Sequence, residues 1–348
     1  MKLLKFFLVL VLLGALAGGG FMYWVYKNMN DAVSHNHSET YITIKSGSAQ
    51  SQILEQLAQE GIIAEPLAVR VYLKTYGQAQ DMQAGEYQFK SPITAMEVLE
   101  TLKDGRKRTT TLTIPEGWTR FEIAKRLHAK FPGEPAKSEA EILALMDDVS
   151  LIKAIDPSAT NLEGYLYPTT YEIILNSSPE EVIEKMVAQF KKIWQPEWTN
   201  QAKALGRTPR EIVTIASLIE NESKFDSERP IVASVIYNRL DLGMALGIDA
   251  TNVYIAKLRG KWDGIINKSD VEIEHPYNTR KIIGLPPGPI SSASKSAFEA
   301  ALNPAETDYI YYVLDVDKND GSHNFYEDSA GFLKGKAKYQ RWLATQRN

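Results

Sequence analysis

The sequence predicts an α+β protein in three parts: an N-terminal single transmembrane helix, a small α+β module, and a larger mixed α+β domain. Three observations carry that reading. Phe6–Tyr26 runs without a charge for 21 residues, long enough to cross a bilayer as a helix. Short alternating stretches at Thr40–Lys45, Gly85–Phe89, Tyr309–Val316 and His323–Tyr326 are interspersed with helical periodicity. A strand, glycine turn and amphipathic helix also occur twice, as TYITIKSGSAQSQILEQL at 40–57 and TTLTIPEGWTRFEIAKRL at 110–127. The two copies align without a gap, and either a duplication or the sameness of all such units accounts for them. In both cases a new unit starts near Thr109. The expected organisation is an anchor at 1–27, a polar tether at 28–39, a module at 40–108 and a domain at 109–348.

Composition narrows the chemistry. A chain of 348 residues, 44% hydrophobic and 24% charged, can bury a substantial core. Its net charge of −4 offers nucleic acid no general attraction. With no cysteine, thiolate metal sites and disulfides are excluded, and the five histidines show no ligand spacing. No metal and no cofactor is expected.

At the N-terminus Lys2 and Lys5 precede the apolar run, which places that end inside the cytoplasmic membrane and the rest of the chain outside it. Ala15-Leu16-Ala17 before Gly18 also matches a signal-peptidase site. The run continues through Phe21, Met22, Tyr23, Trp24 and Val25, which favours an uncleaved, single-pass anchor. In the module, Ser48 is a candidate cap for a helix that carries Ile53, Leu54, Leu57 and Ala58 and stops at Gly61. Helices at Pro66–Tyr76 and Ala95–Leu102 flank the Gly85–Phe89 strand. Arg106-Lys107-Arg108 reads as a solvated turn that could also meet acidic lipid or glycan.

Residues 130–205 read as helices with long loops. Within them NLEGYLYPTTYEI (161–173) gathers Tyr165, Tyr167 and Tyr171 around Glu163. Aromatic faces with a carboxylate suit a sugar, and a tyrosine-rich core corner has the same composition. Further on, Asp226 or Ser227 can cap a helix to Met244 with Asn238 and Arg239 near its end. Asp249, Tyr277-Asn278-Thr279 and the stiff GLPPGPI loop (284–290) follow, then a helix at Ser292–Leu302, a hairpin around Asp317–Gly321 and a closing helix at Phe332–Thr345.

The stretch that carries chemistry is Thr208–Phe225. Thr208, Pro209 and Glu211 spell a capping box with proline at the first helical position. Ile212, Ile215, Ala216 and Ile219 form a stripe whose next members are Glu222 and Ser223. A carboxyl at the edge of an apolar face gains a raised pKa, as a general acid needs. A helix end returning to solvent reads the same way. Glu220 lies about 200° around the helix from Glu222 and reads as a structural neighbour.

IASLIENES, ERPIVASVIYNRLDLGM, Asp249, YNT and GLPPGPI, in this order, together with EGYLYPTTY and YYVLDVD…GSHNF, resemble the endolytic murein transglycosylases of the YceG-like family. The resemblance spans essentially the whole chain, and the module with its AGEYQF strand is similar to a LysM-like peptidoglycan-binding unit. It implies a membrane-anchored, cell-wall-facing enzyme that cuts the MurNAc-β-1,4-GlcNAc bond inside peptidoglycan strands and leaves 1,6-anhydro-MurNAc ends. It assigns the catalytic acid to Glu222. Asp249, Tyr277 and Asn278 are candidates for orienting the sugar or stabilising charge, each of which could instead cap a loop, and Glu163 of the tyrosine-rich stretch is a further candidate for holding the sugar. Peptidoglycan strands are the expected partner, with penicillin-binding synthases as possible neighbours and a limit on nascent strand length as the role. The alternatives are a non-catalytic peptidoglycan-binding scaffold and a hydrolytic muramidase. Two departures bear on glycan positioning. Leu246-Gly247-Ile248-Asp249-Ala250 lacks the polar residue before and the proline after the Asp, and Pro168-Thr169-Thr170 has Thr where Asp is usual.

Overall fold

The computed structural model describes residues 2–45, 47–76, 82–104, 109–133, 135–175 and 177–346. The chain divides into two compact units, Met1–Thr110 and Thr111–Asn348.

The first unit is built from α1 (Lys2–Asn30), β1 (Ile42–Ile44), α2 (Gln50–Gln59), α3 (Pro66–Thr75), β2 (Gly85–Tyr87) and α4 (Ala95–Asp104). β1 and β2 pair antiparallel, with Ile42 opposite Tyr87 and Ile44 opposite Gly85. Leu54, Leu57, Val69, Tyr87 and Val98 close a core of their own. α1 has an apolar span from Phe6 to Asn30, long enough to cross a membrane. Its last turns do something else as well. Val25 and Met29 are buried in the core of this unit, and α1 packs on α3 and α4.

The tether expected at 28–39 is therefore a correction. Asn28–Asn30 complete α1, Val33 pairs with Ile93, and the His35 N–H donates to Ser91 Oγ at 2.9 Å. The polar composition misled because a few of these residues, His35 and Ser38 among them, hydrogen-bond to Lys90, Ser91 and Gln88 of the unit. Ser48 is corrected too. α2 starts one residue later, where Gln52 Oε1 accepts from the Ala49 N–H at 2.9 Å. The basic run 106–108 lies outside the described residues.

The second unit comprises β3 (Thr109–Thr113), α5 (Arg120–Lys130), α6 (Glu139–Leu145), a 3-10 turn at Ser150–Ile152, β4 (Thr170–Ile174), α7 (Pro179–Ile193), α8 (Pro196–Ala204), α9 (Pro209–Glu222), α10 (Arg229–Asp241), α11 (Ala250–Leu258), α12 (Lys268–Glu272), α13 (Lys295–Leu302), β5 (Tyr311–Leu314), β6 (His323–Tyr326) and α14 (Ser329–Gln346). β3 pairs with β4 and β5 with β6, each as a two-strand sheet. The offset of the two sequence copies recurs here. α2 and α5 begin at Gln50 and Arg120, and the preceding Gly47 and Gly117 take φ of 78° and 74°.

α9 is the axis of this unit. Thr208 Oγ1 and Glu211 satisfy each other's backbone N–H groups, and every residue from Ile212 to Ile219 is buried. The expected stripe therefore belongs to a helix enclosed on all sides. α8, α10, α11 and α13 surround it. One buried ion pair knits the array. Arg229 on α10 meets Glu220 at 3.0 Å, and Glu220 Oε2 accepts from the Ser294 N–H at 2.8 Å, the residue that caps α13. Glu220 is the structural neighbour that its place on the helix suggested.

Candidate active site

Glu222 is the last residue of α9, and the chain turns extended at Ser223 (φ −124°, ψ 124°). This ending delivers the carboxyl out of the core into a cavity of about 320 Å³. Gly117, Thr119, Asn221, Asp249, Tyr254 and Lys257 are among the other lining residues. Glu222 is half-buried. Burial, and after it the nearby Asp249, push its carboxyl up to about 7, against the opposing pull of Tyr312, Arg239 and Arg280. A carboxyl near neutrality can both give and take a proton.

Tyr312 on β5 donates its hydroxyl to Glu222 Oε2 at 2.5 Å. Sequence reasoning missed this residue. The contact spans 90 residues, and the available signal was the YYVLDVD strand, in which Tyr312 does not stand out from Tyr309 and Tyr311. α10 holds that strand in place. Asn238 donates to the carbonyls of Thr307 (2.7 Å) and Tyr309 (2.9 Å), and Arg239 Nε donates to Ile310 O (2.6 Å). At the other end of α10, Glu228 accepts from the His323 N–H at 2.9 Å and lies 2.9 Å from its Nδ1.

The GLPPGPI loop lies along α9. Arg210, in the first turn of α9, donates to Pro287 O (2.9 Å) and pairs with Asp156 (2.8 Å), which also accepts from the Tyr165 hydroxyl (2.6 Å). The Ile290 N–H donates to Ser217 Oγ (3.0 Å), and Asn221 Nδ2 donates to Ser291 Oγ (2.7 Å). Ile290 lines the cavity. The loop is thus a stiff wall, fixed at both ends to the helix that carries Glu222.

The other expected residues separate. Asp249 lines the cavity with Glu222 and forms an ion pair with Arg280 at 2.5 Å. Tyr277 is half-buried outside the lining, tilted against Tyr254 with ring centroids 5.0 Å apart. Asn278 is fully buried, and its amide donates to Val271 O (3.0 Å) and Ile273 O (2.7 Å) while its oxygen accepts from the Arg280 N–H (3.1 Å). Those bonds make Asn278 a staple of its own loop, the second of the two roles open to it in the sequence. Glu163 is also buried, accepting from the Arg120 N–H (3.1 Å), and burial pushes it up to about 8. It is not a lining residue; it sits behind Tyr254, which is. Tyr165 and Tyr171 are buried as well, bonded to Asp156 and to Tyr167 O, so the tyrosine-rich stretch is a core corner rather than an open sugar platform. Its Gly164 has φ +80°, and a Cβ there would meet Pro289 Cγ at 2.6 Å and Val213 Cγ1 at 2.8 Å.

The model of the YceG-like family matches residues 42–338. This chain belongs to the YceG-like family. It is 33% identical over 339 residues to an endolytic murein transglycosylase of Bacillus subtilis, covering 92% of this chain and 90% of that protein. It is 31% identical over 337 residues to an endolytic murein transglycosylase of Streptococcus pneumoniae D39, covering 88% of this chain. This chain spans only 60% of the pneumococcal protein's length. Among solved structures, a yceG-like protein of Listeria monocytogenes aligns with a TM-score of 0.56 at 31% identity, over 84% of this chain and 98% of that one.

Proposed function

We propose that this YceG-like protein is an endolytic murein transglycosylase and that Glu222 is its single acid/base group. The observation that carries the reading is a half-buried carboxyl, raised to about 7, opening into the cavity with a hydroxyl donor on one of its oxygens. The names of the Bacillus and Streptococcus relatives support it. Glu222, protonated, gives its proton to the glycosidic oxygen as the bond from MurNAc C1 breaks. The carboxylate then takes the proton of the C6 hydroxyl as O6 closes on C1, which leaves a 1,6-anhydro-MurNAc end and regenerates the acid. No water is consumed, so one carboxyl suffices. Asp249, held by Arg280, offsets positive charge at C1, and Tyr277 supports Tyr254 at the cavity wall.

The N-terminal span anchors the protein, and Lys2 and Lys5 keep its first residues in the cytoplasm with both units outside. The β1–α2–α3–β2 order with its antiparallel pair supports a LysM-like, peptidoglycan-binding reading of 40–108, ahead of a catalytic domain at 109–348. An anchored cutter of this kind would act on new strands beside the penicillin-binding synthases and limit their length.

Digesting glycan strands and weighing the products tests the reaction. Anhydro ends lack one water relative to reducing ends. Because Asp249 shares the cavity, hydrolysis is the reading to exclude, and reducing ends alone would establish it instead. Glu222→Gln should lower cleavage by at least about 100-fold, the usual scale of general acid–base catalysis, while glycan binding persists. Undiminished cleavage by that variant removes Glu222 from the reaction.

A further inference from the structure

Glu222 has two oxygens, and the structure treats them differently. Oε2 accepts the Tyr312 hydroxyl at 2.5 Å, and among the described residues Oε1 has no such donor. Tyr312 is itself strongly constrained. It faces Phe325 across the hairpin, its ring stands edge-on to His323 at 5.4 Å, and Asn238 and Arg239 hold the carbonyls of Tyr309 and Ile310 just before it. We propose that Tyr312 is a positioning residue: by occupying Oε2, it confines the transferable proton of Glu222 to Oε1. This inference rests on the acid/base role given to Glu222 above.

Tyr312 neither gives up nor gains a proton in the cycle. Burial, followed by the adjacent Glu222, holds its phenol well above the ordinary range, so it remains a donor at every working pH. The proton that moves is the one on Oε1. It leaves for the glycosidic oxygen as the C1–O bond breaks, and the C6 hydroxyl returns one to Oε1 as the ring closes. When Oε1 is bare, the bond from Tyr312 becomes charge-assisted and stronger. The hydroxyl therefore favours the transition state over the resting acid, which is the condition for accelerating the step. The other charged groups facing Glu222 are Asp249 at the start of α11, Arg239 from α10 and Arg280 from the loop beyond α12. None of them forms a hydrogen bond to it among those the structure shows, so the choice between the two oxygens falls to Tyr312.

The test is Tyr312→Phe, compared with wild type over a pH series on soluble glycan strands. Without the hydroxyl, kcat should fall about 10- to 100-fold, the scale of one hydrogen bond to a charged group, with KM nearly unchanged. The alkaline limb of kcat/KM should move up by about one pH unit, because a stabiliser of the carboxylate has been lost. A purely structural role would lower the folded fraction and leave the limb where it was. Replacing Tyr312 with 3-fluorotyrosine preserves the packing and gives a more acidic donor, which should move the limb down; it carries the test if the Phe variant does not fold. An unmoved limb in both variants, with kcat within about twofold, overturns the proposal. If Glu222→Gln also cleaves normally, the acid/base reading has failed as well; if Glu222→Gln is inactive, only the role of Tyr312 has failed.

Discussion

At the scale of single residues, Glu222 and Glu220 show how two acids two positions apart come to different fates. Glu220 pairs with Arg229 and is fully engaged with Ser294. Glu222 has one hydroxyl and an open cavity. Burial pushes its carboxyl up to about 7. In the proposed acid role Glu222 must be protonated before cleavage, so the rate should be level below pH 7 and fall about tenfold per unit above it. A rate profile that stays level to pH 9 would exclude Glu222 as the acid. The same shift has a stability counterpart. A carboxyl whose pKa is raised on folding binds more protons in the native state, so stability falls as pH rises from about 4.5 to about 7. Glu222→Gln abolishes that titration, and its melting temperature should exceed wild type above pH 7 and converge with it in acid. The place of Glu222 at the end of α9 and on the cavity was legible because the apolar stripe runs out at that residue. Asn278 could be read either way from the sequence, because a buried staple and a sugar-binding amide look alike beside an aromatic residue.

At the scale of elements, helices were legible where their caps are local. α9 begins at its Thr208–Glu211 box as the sequence predicts. α10 starts at Arg229 rather than at Asp226 or Ser227, because the nearby acids are committed elsewhere. Asp226 accepts from Ser296 and pairs with Arg229, and Glu228 binds His323. Those partners lie about 70 and 95 residues away, beyond any local pattern. Two substitutions test the element contacts. Glu220→Ala strands the buried Arg229 guanidinium and should cost about 3 kcal/mol or more in urea denaturation; a cost under about 1 kcal/mol would mean that Asp226 takes over the pairing. Gly164→Ala adds a Cβ where the left-handed backbone, Pro289 and Val213 leave no room. It should destabilise by about 2–4 kcal/mol and, by shifting the GLPPGPI wall, slow cleavage too. A variant as stable as wild type would show that the loop gives way.

At the scale of the whole molecule, each unit has its own hydrophobic core. The fragment 109–348 should therefore fold alone with a cooperative transition and retain Glu222-dependent cleavage of soluble strands; a fragment without a transition would show that the first unit is needed for folding. The division after Thr110 falls where the second copy of the strand–turn–helix starts. What hydropathy did not reveal is where the first unit begins, because α1 is apolar on both sides of that point.

Val25 and Met29 matter for that reason. Hydropathy treats everything to Asn30 as one span, yet two of its side chains belong to the interior of a water-facing body. From Phe6 to Tyr23 the free helix measures about 27 Å at ~1.5 Å per residue, close to the thickness of the hydrocarbon layer. The span then runs as the same rigid rod into the first unit. Seated in a bilayer as proposed, it would act as a stalk rather than a rope, and a rotation of the rod would turn the unit with it. A soluble fragment cut at residue 31, where the apolar run ends, would lose part of its own core; one cut at residue 24 would keep it and melt at the higher temperature.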